Sequence, residues 1–288
     1  MASYHGPVVQ SALLRSELVR LRRERGLTQA QVAAGLAWLP AKLIRAEDGH
    51  SPVSQADLDA LLQQYGITSD SQRERLHDLN RGAQVPGWWE AYRGHVAAAY
   101  LDYVGHEAGA ASVRQYVGIV PGLLQTAEYA SAITAITIEP ERADLVVRLR
   151  LQRQSELARR QPVPRQWFVL DEAAIRRRVG YGQDRAIMRN QLLHILGQAR
   201  AEEQITVQVI PFEAGGHPGV TGPFTLLDFD ADLPGVLYID TGQGFIEMII
   251  GTEGLVAEFA DNFEKLTQVA LPADQSLGMI QSAAEELT

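Results

Sequence analysis

The segment GLTQAQVAAGLAWLPAKLIRAEDG, residues 26–49, constrains the fold most, because it contains two helix starts within a short span. Thr28 is suited to cap the first helix, since its hydroxyl can accept the backbone N–H of Gln31 while the Gln31 side chain reaches back, as in a capping box. Pro40 suits the first turn of the second helix, where its missing N–H costs little. Gly35 is expected to allow the tight turn between them. The segment predicts two short helices packed closely together.

Apolar residues on either side of this pair predict further helices. A helix over residues 11–25 places leucines on one face, Ser54 opens a fourth helix, and residues 69–81 form a fifth. Asp48-Gly49 ends the second helix of the pair. The residues expected to face inward are Leu14, Leu18, Leu21, Val32, Ala33, Leu43 with Ile44 or Ala46, Leu58, Leu61 and Leu62. The N-terminal region is therefore predicted to be an all-α domain of five helices.

Charge is distributed unevenly along the chain. Residues 11–47 carry seven basic and three acidic side chains, whereas residues 81–288 carry 17 basic and 26 acidic ones. The net charge of the whole chain is −9. A small cationic region attached to an acidic body indicates a polyanionic partner for the N-terminal end.

The composition points to an intracellular protein. The chain of 288 residues has no cysteine, which excludes disulfides and thiolate metal sites and favours a reducing compartment. The N-terminus lacks a secretory signal pattern, and no apolar run is long enough for a membrane span. We expect a cytoplasmic, nucleoid-associated protein with no membrane partner.

The motifs GLTQAQVA and KLIRAEDG carry a resemblance to a known fold. Residues 11–80 or so resemble the five-helix helix-turn-helix domain of the lambda-repressor/Xre type. In such domains the second helix of the pair enters the major groove of DNA and the first lies across the backbone. The resemblance implies binding to double-stranded DNA, with the second helix standing out from the surface.

The resemblance also implies roles for individual residues. Gln29 matches a glutamine that contacts phosphate or a base edge, helped by the helix dipole. Arg45 matches a base-facing position and can bond guanine in a bidentate manner. Arg22 and Glu47 match a structural ion pair within the domain. The implied DNA-contacting residues are Thr28, Gln29, Pro40, Ala41, Lys42 and Arg45.

Three positions depart from the family pattern. Leu39 stands where a capping Ser or Thr is usual, and Pro40 and Ala41 cannot donate hydrogen bonds from their side chains. Ala41 can still contact a thymine methyl group. Direct readout is therefore expected to be thin, with phosphate contacts supplying much of the affinity. The alternative is a helical protein-interaction domain that has lost DNA binding.

Beyond a junction over residues 81–97, the chain predicts a second domain over 98–288. Trp88 and Trp89 in the junction are expected to anchor the two domains, the alternative being a platform for stacking nucleic-acid bases. Strand-like runs such as QITVQVIPF and GPFTLLDF alternate with amphipathic helices near 140–160 and 184–202. The order predicts a mixed sheet covered by helices, a mixed α/β (α+β) domain.

This second region resembles the domain family of unknown function DUF5753, which follows Xre-type domains in actinobacterial regulators such as those of Streptomyces. The matching segments include VPGLLQTAEYA, VLDEAAIRR and ITVQVIPFEAGGHPG. The resemblance implies a regulatory role and the possibility of a small DUF397-type protein partner. Asp240, in YIDT, stands where Glu is more usual.

The second domain has five candidate residues for contact with a ligand or partner: Gln125, Asp171, Arg176, His217 and Asp240. His217 lies in a glycine-rich loop after a strand, where ligand-contacting residues often lie. A simple turn at His217 and a solvated helix face at Asp171 and Arg176 are the alternatives. No metal and no cofactor is expected.

No catalytic residue is assigned. GHEAGA lacks the second histidine of a zinc-protease helix, and YIDTG occurs once, whereas aspartic proteases need two such carboxylates. We expect a DNA-binding transcriptional regulator that acts as a homodimer and whose C-terminal domain binds a small-molecule or small-protein effector. The alternatives are an antitoxin-like or scaffold module with weak DNA binding, and an enzyme that uses the carboxylates and His217.

Overall fold

The structure is a computed structural model, and it describes residues 6–49, 51–230, 233–240, 246–250 and 254–287, although not the side chains of 240 and 246–250. The chain divides into two compact units, one ending at Glu90 and the other beginning at Ala91. The first is helical and the second is a mixed α/β unit, so the predicted fold class is confirmed.

The N-terminal unit contains the five predicted helices. They are α1 (Pro7–Glu24), α2 (Gln29–Gly35), α3 (Pro40–Asp48), α4 (Gln55–Gln64) and α5 (Asp70–Ala83), followed by a short 3-10 helix over Trp88–Tyr92. Helix α1 begins four residues before the predicted start, with Pro7 in its first turn. Ser54 and Ser69 cap α4 and α5 by accepting the backbone N–H three residues on.

The predicted inward-facing residues form a single core in this unit. Leu14, Leu18 and Leu21 of α1 pack with Val32, Leu43 and the leucines of α4. Of the two alternatives in α3, Ala46 is buried and Ile44 is exposed. The core thus closes beneath α3 and leaves its outer face free of apolar packing.

The turn between α2 and α3 corrects one expectation. Gly35 is the last residue of α2 and has no positive φ; a Cβ there would lie 2.5 Å from Nε2 of Gln64, so glycine provides space. The left-handed residue is Ala37, with φ of 54°. The chain therefore makes the turn at a residue with a Cβ, which carries a conformational cost.

The C-terminal unit contains six strands and seven helices within the described residues. The strands are β1 (Ser112–Val117), β2 (Arg165–Asp171), β3 (Ile205–Ile210), β4 (Phe224–Asp228), β5 (Val236–Asp240) and β6 (Ile246–Ile250). The helices are α6 (Ala98–Glu107), α7 (Ala127–Thr137), α8 (Pro140–Ala158), α9 (Ala173–Arg176), α10 (Ala186–Ala201), α11 (Leu255–Val269) and α12 (Ala273–Glu285). The sequence patterns predicted most of these elements but not α6.

The strands form one mixed sheet in the order β3-β2-β1-β4-β5-β6. Strands β1, β2 and β3 are parallel and are joined by helical crossovers, whereas β4, β5 and β6 pair antiparallel. Helix α11 packs on one face against Tyr116, Phe224 and Leu237. The opposite face presents a row of directly paired residues, Gln115, Thr225 and Tyr238, on β1, β4 and β5.

In the described part of the chain, no helix is both long and apolar enough to cross a bilayer.

Candidate nucleic-acid interface and interior cavity

Helix α2 begins with the predicted capping box. Oγ1 of Thr28 accepts the N–H of Gln31 at 3.2 Å, and Oε1 of Gln31 accepts the N–H of Thr28 at 2.8 Å. Both side chains are therefore engaged in starting the helix. The hydroxyl of Thr28 also lies 3.0 Å from Oε1 of Gln31. Thr28 therefore caps α2 and is at the same time exposed at the beginning of the helix.

Helix α3 presents an exposed face made of Pro40, Ala41, Ile44 and Arg45. Leu39 precedes it, is 78% exposed, and forms no side-chain cap in the described chain. Among the described residues, no hydrogen bond or ion pair engages the Arg45 guanidinium. Arg45 therefore keeps all its donors available for a partner, as a bidentate base contact requires.

A three-residue network on the inner side of α3 joins this helix to α1 and α2. Arg22 donates Nε to Oε1 of Glu47 at 2.7 Å and Nη2 to Oε2 at 2.9 Å. Nε2 of Gln29 donates to the same Oε2 at 2.7 Å. The Glu47 hydrogen bond raises the pKa of Arg22. The Arg22–Glu47 pair is thus present as predicted, and Glu47 also accepts one of the two amide N–H groups of Gln29, which leaves the second N–H and Oε1 for another contact.

Lys42 is likewise engaged within the unit. Nζ of Lys42 lies 2.6 Å from Oδ1 of Asp57, in the first turn of α4, and 4.0 Å from the centroid of the Trp38 ring. The lysine therefore links α3 to α4 and lies over an aromatic ring, an arrangement that neutralises its charge locally. Arg45 is the cation of this helix that the fold leaves unpaired within the described residues.

In the C-terminal unit the structure brings Asp171 and His217 together. Nε2 of His217 lies 3.7 Å from Oδ2 of Asp171, and Nδ1 accepts the backbone N–H of Gly219 at 3.2 Å. The His217 side chain is only 6% exposed and packs edge-on against Tyr116. The glycine-rich loop forms a 3-10 turn over Pro218–Thr221, as in the simple-turn alternative, and the imidazole faces inward.

Arg176 and Asp240 have different surroundings from this pair. Arg176 bonds Oε1 of Glu172 at 3.0 Å and Oε2 of Glu286 at 2.7 Å, so its guanidinium connects α9 to the C-terminal end of the chain. Asp240 is the last residue of β5, and its side chain lies outside the described residues. The remaining residues of the YIDTG motif, 241 and 242, also lie outside them.

Gln125 lines a cavity of about 420 Å³ on the sheet face opposite α11. The floor is the row Gln115, Thr225 and Tyr238, and the walls come from α6, α8 and the loop after β1. Gln125 is 3% exposed and donates Nε2 to the carbonyl of Val120 at 2.9 Å. Asp171, Arg176 and His217 do not line this cavity, and the Asp240 side chain lies outside the described residues.

One wall of the cavity contains a buried polar network that sequence patterns did not indicate. Nε of Arg153 lies 2.7 Å from Oε2 of Glu107, and Nη1 donates to the hydroxyl of Tyr100 at 2.8 Å. Tyr103 donates its hydroxyl to Oε1 of Glu107 at 2.5 Å. Burial raises the pKa of Glu107, and the positive charge of Arg153 partly offsets this rise. Burial also raises the pKa of Tyr103. The one sequence signal for this position is helical spacing, because Arg153 lies four residues from Leu149 and four from Leu157 on the buried face of α8.

The arrangement of α1 to α5 defines a class of DNA-binding fold, and comparison with known families agrees with it. A helix-turn-helix domain model matches residues 13–76. A second model, described as a domain of unknown function (DUF5753), matches residues 100–282. The chain belongs to the DUF5753 family. Neither the curated proteins nor the solved structures contain a match to the chain.

Proposed function

We propose that the chain is a DNA-binding transcriptional regulator that uses α3 to read the major groove. The exposed face of Pro40, Ala41, Ile44 and Arg45 supports this most directly, because it is the outer face of the second helix in a helix-turn-helix domain. Arg45 supplies the base contact, and Ala41 with Ile44 supplies apolar contact to thymine methyl groups. The capping box of α2 fixes the helix that crosses the phosphate backbone.

In this proposal the C-terminal unit controls the DNA-binding unit. One helix-turn-helix unit offers few base contacts, so a homodimer that reads two half-sites would supply the missing affinity. An effector, either a small molecule or a small protein, binds the C-terminal unit and shifts the dimer between DNA-competent and incompetent states. Such control requires that the effector bind the two states with different affinity. The proposed activity is binding rather than catalysis, in the cytoplasm at the nucleoid.

The proposal is tested by selecting binding sites from a randomised double-stranded DNA library with the full chain. The selected site is then titrated by fluorescence anisotropy with wild type, Arg45→Ala and the control Arg75→Ala, which removes an exposed arginine of α5. We expect Arg45→Ala to weaken specific binding by about 1–3 kcal/mol and to relax base preference, and Arg75→Ala to preserve that preference. Enrichment of no sequence, or equal losses for both variants, would refute the recognition role of α3.

A second function is favoured by the internal bonds of Gln29 and Lys42. Gln29 and Lys42, two of the expected DNA-contacting residues, are bonded to Glu47 and Asp57. This arrangement would suit a partner-binding module with weak DNA binding. In that case anisotropy would show equal, weak affinity for every sequence. Purification of the tagged full chain from its host, followed by mass spectrometry, would then recover a protein partner at a stoichiometric level.

A further inference from the structure

The cavity in the C-terminal unit has the size of a small-molecule site. Its volume of about 420 Å³ lies within the range of about 300–1,000 Å³ for ligand pockets. The loop after β1 forms the rim of the cavity, and side chains of α8 and α10 hold its backbone by hydrogen bonds. Nε2 of Gln154 donates to the carbonyls of Gly122 and Gln125 at 2.7 and 2.9 Å. Gln191 also donates to the carbonyl of Leu124 at 2.6 Å. The rim is therefore preformed.

The cavity lining is cationic. Arg150 and Arg153 both line it, and none of its lining residues in the described chain is acidic. Glu107 pairs with Arg153 and neutralises its charge, and the Tyr100 hydroxyl accepts one of its N–H groups. Arg150 is only half-buried, and its Nη1 donates to the hydroxyl of Thr134 at 2.9 Å. Arg150 is thus the lining cation with donors to spare for an anionic ligand.

The remaining walls are aromatic and apolar. Tyr100 and Tyr103 stack at 6.0 Å, and Tyr103 meets Tyr238 edge to face at 4.9 Å. Val117 and Ile119 add aliphatic surface next to them. Such walls favour a flat ring over a flexible chain, because rings bury apolar area with little loss of conformational freedom.

Two buried amide oxygens adjoin this space without a partner. Oε1 of Gln115 and Oε1 of Gln125 accept no hydrogen bond from any described residue, and both side chains line the cavity. Leaving a buried acceptor unpaired costs about 1–3 kcal/mol. Both oxygens lie beneath the cavity surface, so in this arrangement they are not contact points for a ligand.

From these observations we infer that the cavity binds a small organic anion: a carboxylate on an aromatic ring, with the carboxylate at Arg150 and the ring against the tyrosines. This inference names the effector class of the proposed regulator, and in that role it rests on the proposed function. The binding itself is independent of DNA.

The test uses the full chain without DNA and two probes of the same shape, 2-naphthoate and the neutral 2-naphthalenemethanol, in isothermal titration calorimetry. We expect one site per chain and at least about tenfold tighter binding of the carboxylate, as one charge-assisted hydrogen bond supplies. Arg150→Gln should remove that preference. Its control, Arg148→Gln, changes an exposed arginine of the same helix and should preserve it. Ile119→Trp, at the partly exposed rim, should block both probes while leaving the fold intact.

Absence of binding, equal affinity for the two probes, or binding that survives both Ile119→Trp and Arg150→Gln would overturn the inference. These outcomes leave the proposed function standing, because sequence-specific DNA binding by the chain is measured separately. Conversely, if the chain binds naphthoate but selects no DNA sequence, the anion site is confirmed and the proposed regulatory function is refuted.

Discussion

Arg22 and Glu47 lie 25 residues apart in the chain, yet they form a two-bonded ion pair that ties α1 to α3. Glu47 is only 4% exposed, and it also accepts the Gln29 amide from α2. One carboxylate therefore positions three helices of the helix-turn-helix unit. Both the stability of this unit and the direction in which α3 points depend on it.

Replacing this carboxylate should destabilise the N-terminal unit. Glu47→Ala removes three hydrogen bonds and leaves the largely buried Arg22 without its partner, so we expect a loss of about 3 kcal/mol in the free energy of unfolding. Urea denaturation followed by circular dichroism measures it. Glu24→Ala is the matched control, because Glu24 forms an exposed pair with Arg20 and should cost less than about 1 kcal/mol. Equal losses of stability in the two variants would show that the buried network stabilises the unit no more than the exposed pair does.

Removal of the Tyr65 hydroxyl should stabilise the unit. Tyr65 is fully buried, and its oxygen has no hydrogen-bond partner among the described residues. Tyr65→Phe therefore removes an unpaired polar group and should increase the free energy of unfolding by about 1 kcal/mol. Tyr181→Phe, at an exposed ring, should change it by less than about 0.5 kcal/mol. A loss of stability in Tyr65→Phe would mean that the hydroxyl has a partner after all.

The same residue should affect stability at alkaline pH. Burial, with a further contribution from Glu47, raises the pKa of Tyr65 to about 12. The unfolded chain releases this proton near the ordinary tyrosine pKa of about 10, before the folded chain does. Stability from this group is therefore complete below about pH 10 and is lost as the pH rises toward 12. The free energy of unfolding, measured by urea denaturation between pH 10 and 12, should fall less steeply with pH in Tyr65→Phe than in wild type.

The turn before α3 should tolerate glycine better than the native alanine. Ala37 has φ of 54°, where an L-residue costs about 1–2 kcal/mol, while the added chain entropy of glycine costs about 0.5–1 kcal/mol. Ala37→Gly should therefore increase the free energy of unfolding by up to about 1.5 kcal/mol, which would be measured as a higher thermal midpoint. Ala34→Gly, in the last turn of α2, should lower it. If both changes lower the midpoint, the left-handed turn is absent in solution.

Release of Lys42 should strengthen contact with phosphate. Asp57→Asn removes the carboxylate that holds Nζ of Lys42, which frees one cation beside α3. If the chain binds DNA through this face, the slope of log affinity against log salt should steepen by about one. Asp59→Asn makes the same charge change on α4 at a residue paired with Arg73 and should leave the slope unchanged. Identical slopes for the two variants would place Lys42 away from the phosphates.

The local features of the N-terminal unit could be predicted because their causes lie within a few residues. The capping box at Thr28, the proline at the start of α3 and the left-handed Gly49 at its end each depend on neighbouring backbone groups. The leucine spacing of α1 and α4 likewise follows from the helical period, and these leucines form the core. The two motifs also sufficed to identify the domain type, and the matches over 13–76 and 100–282 agree.

What the sequence could not determine involves residues that are distant in the chain. Whether Gln29 and Lys42 are free depends on Glu47 and Asp57, which approach them only after the helices pack. His217 and Asp171 meet in the same way, although they lie far apart in the chain. A side chain's availability is a property of the packed unit, because donors and acceptors pair with whatever tertiary contacts bring near.

The cavity shows this division most clearly. Its floor consists of single residues from β1, β4 and β5, which become neighbours through the antiparallel register of the sheet. Its charged wall comes from α6, which no sequence pattern predicted, and α8. The sequence alone therefore determined the helix-turn-helix unit and the class of the second domain, since short-range periodicity and capping encode them. Only the tertiary structure decided where Arg150 and the tyrosines converge, because strand register and helix packing are set by contacts across the whole unit.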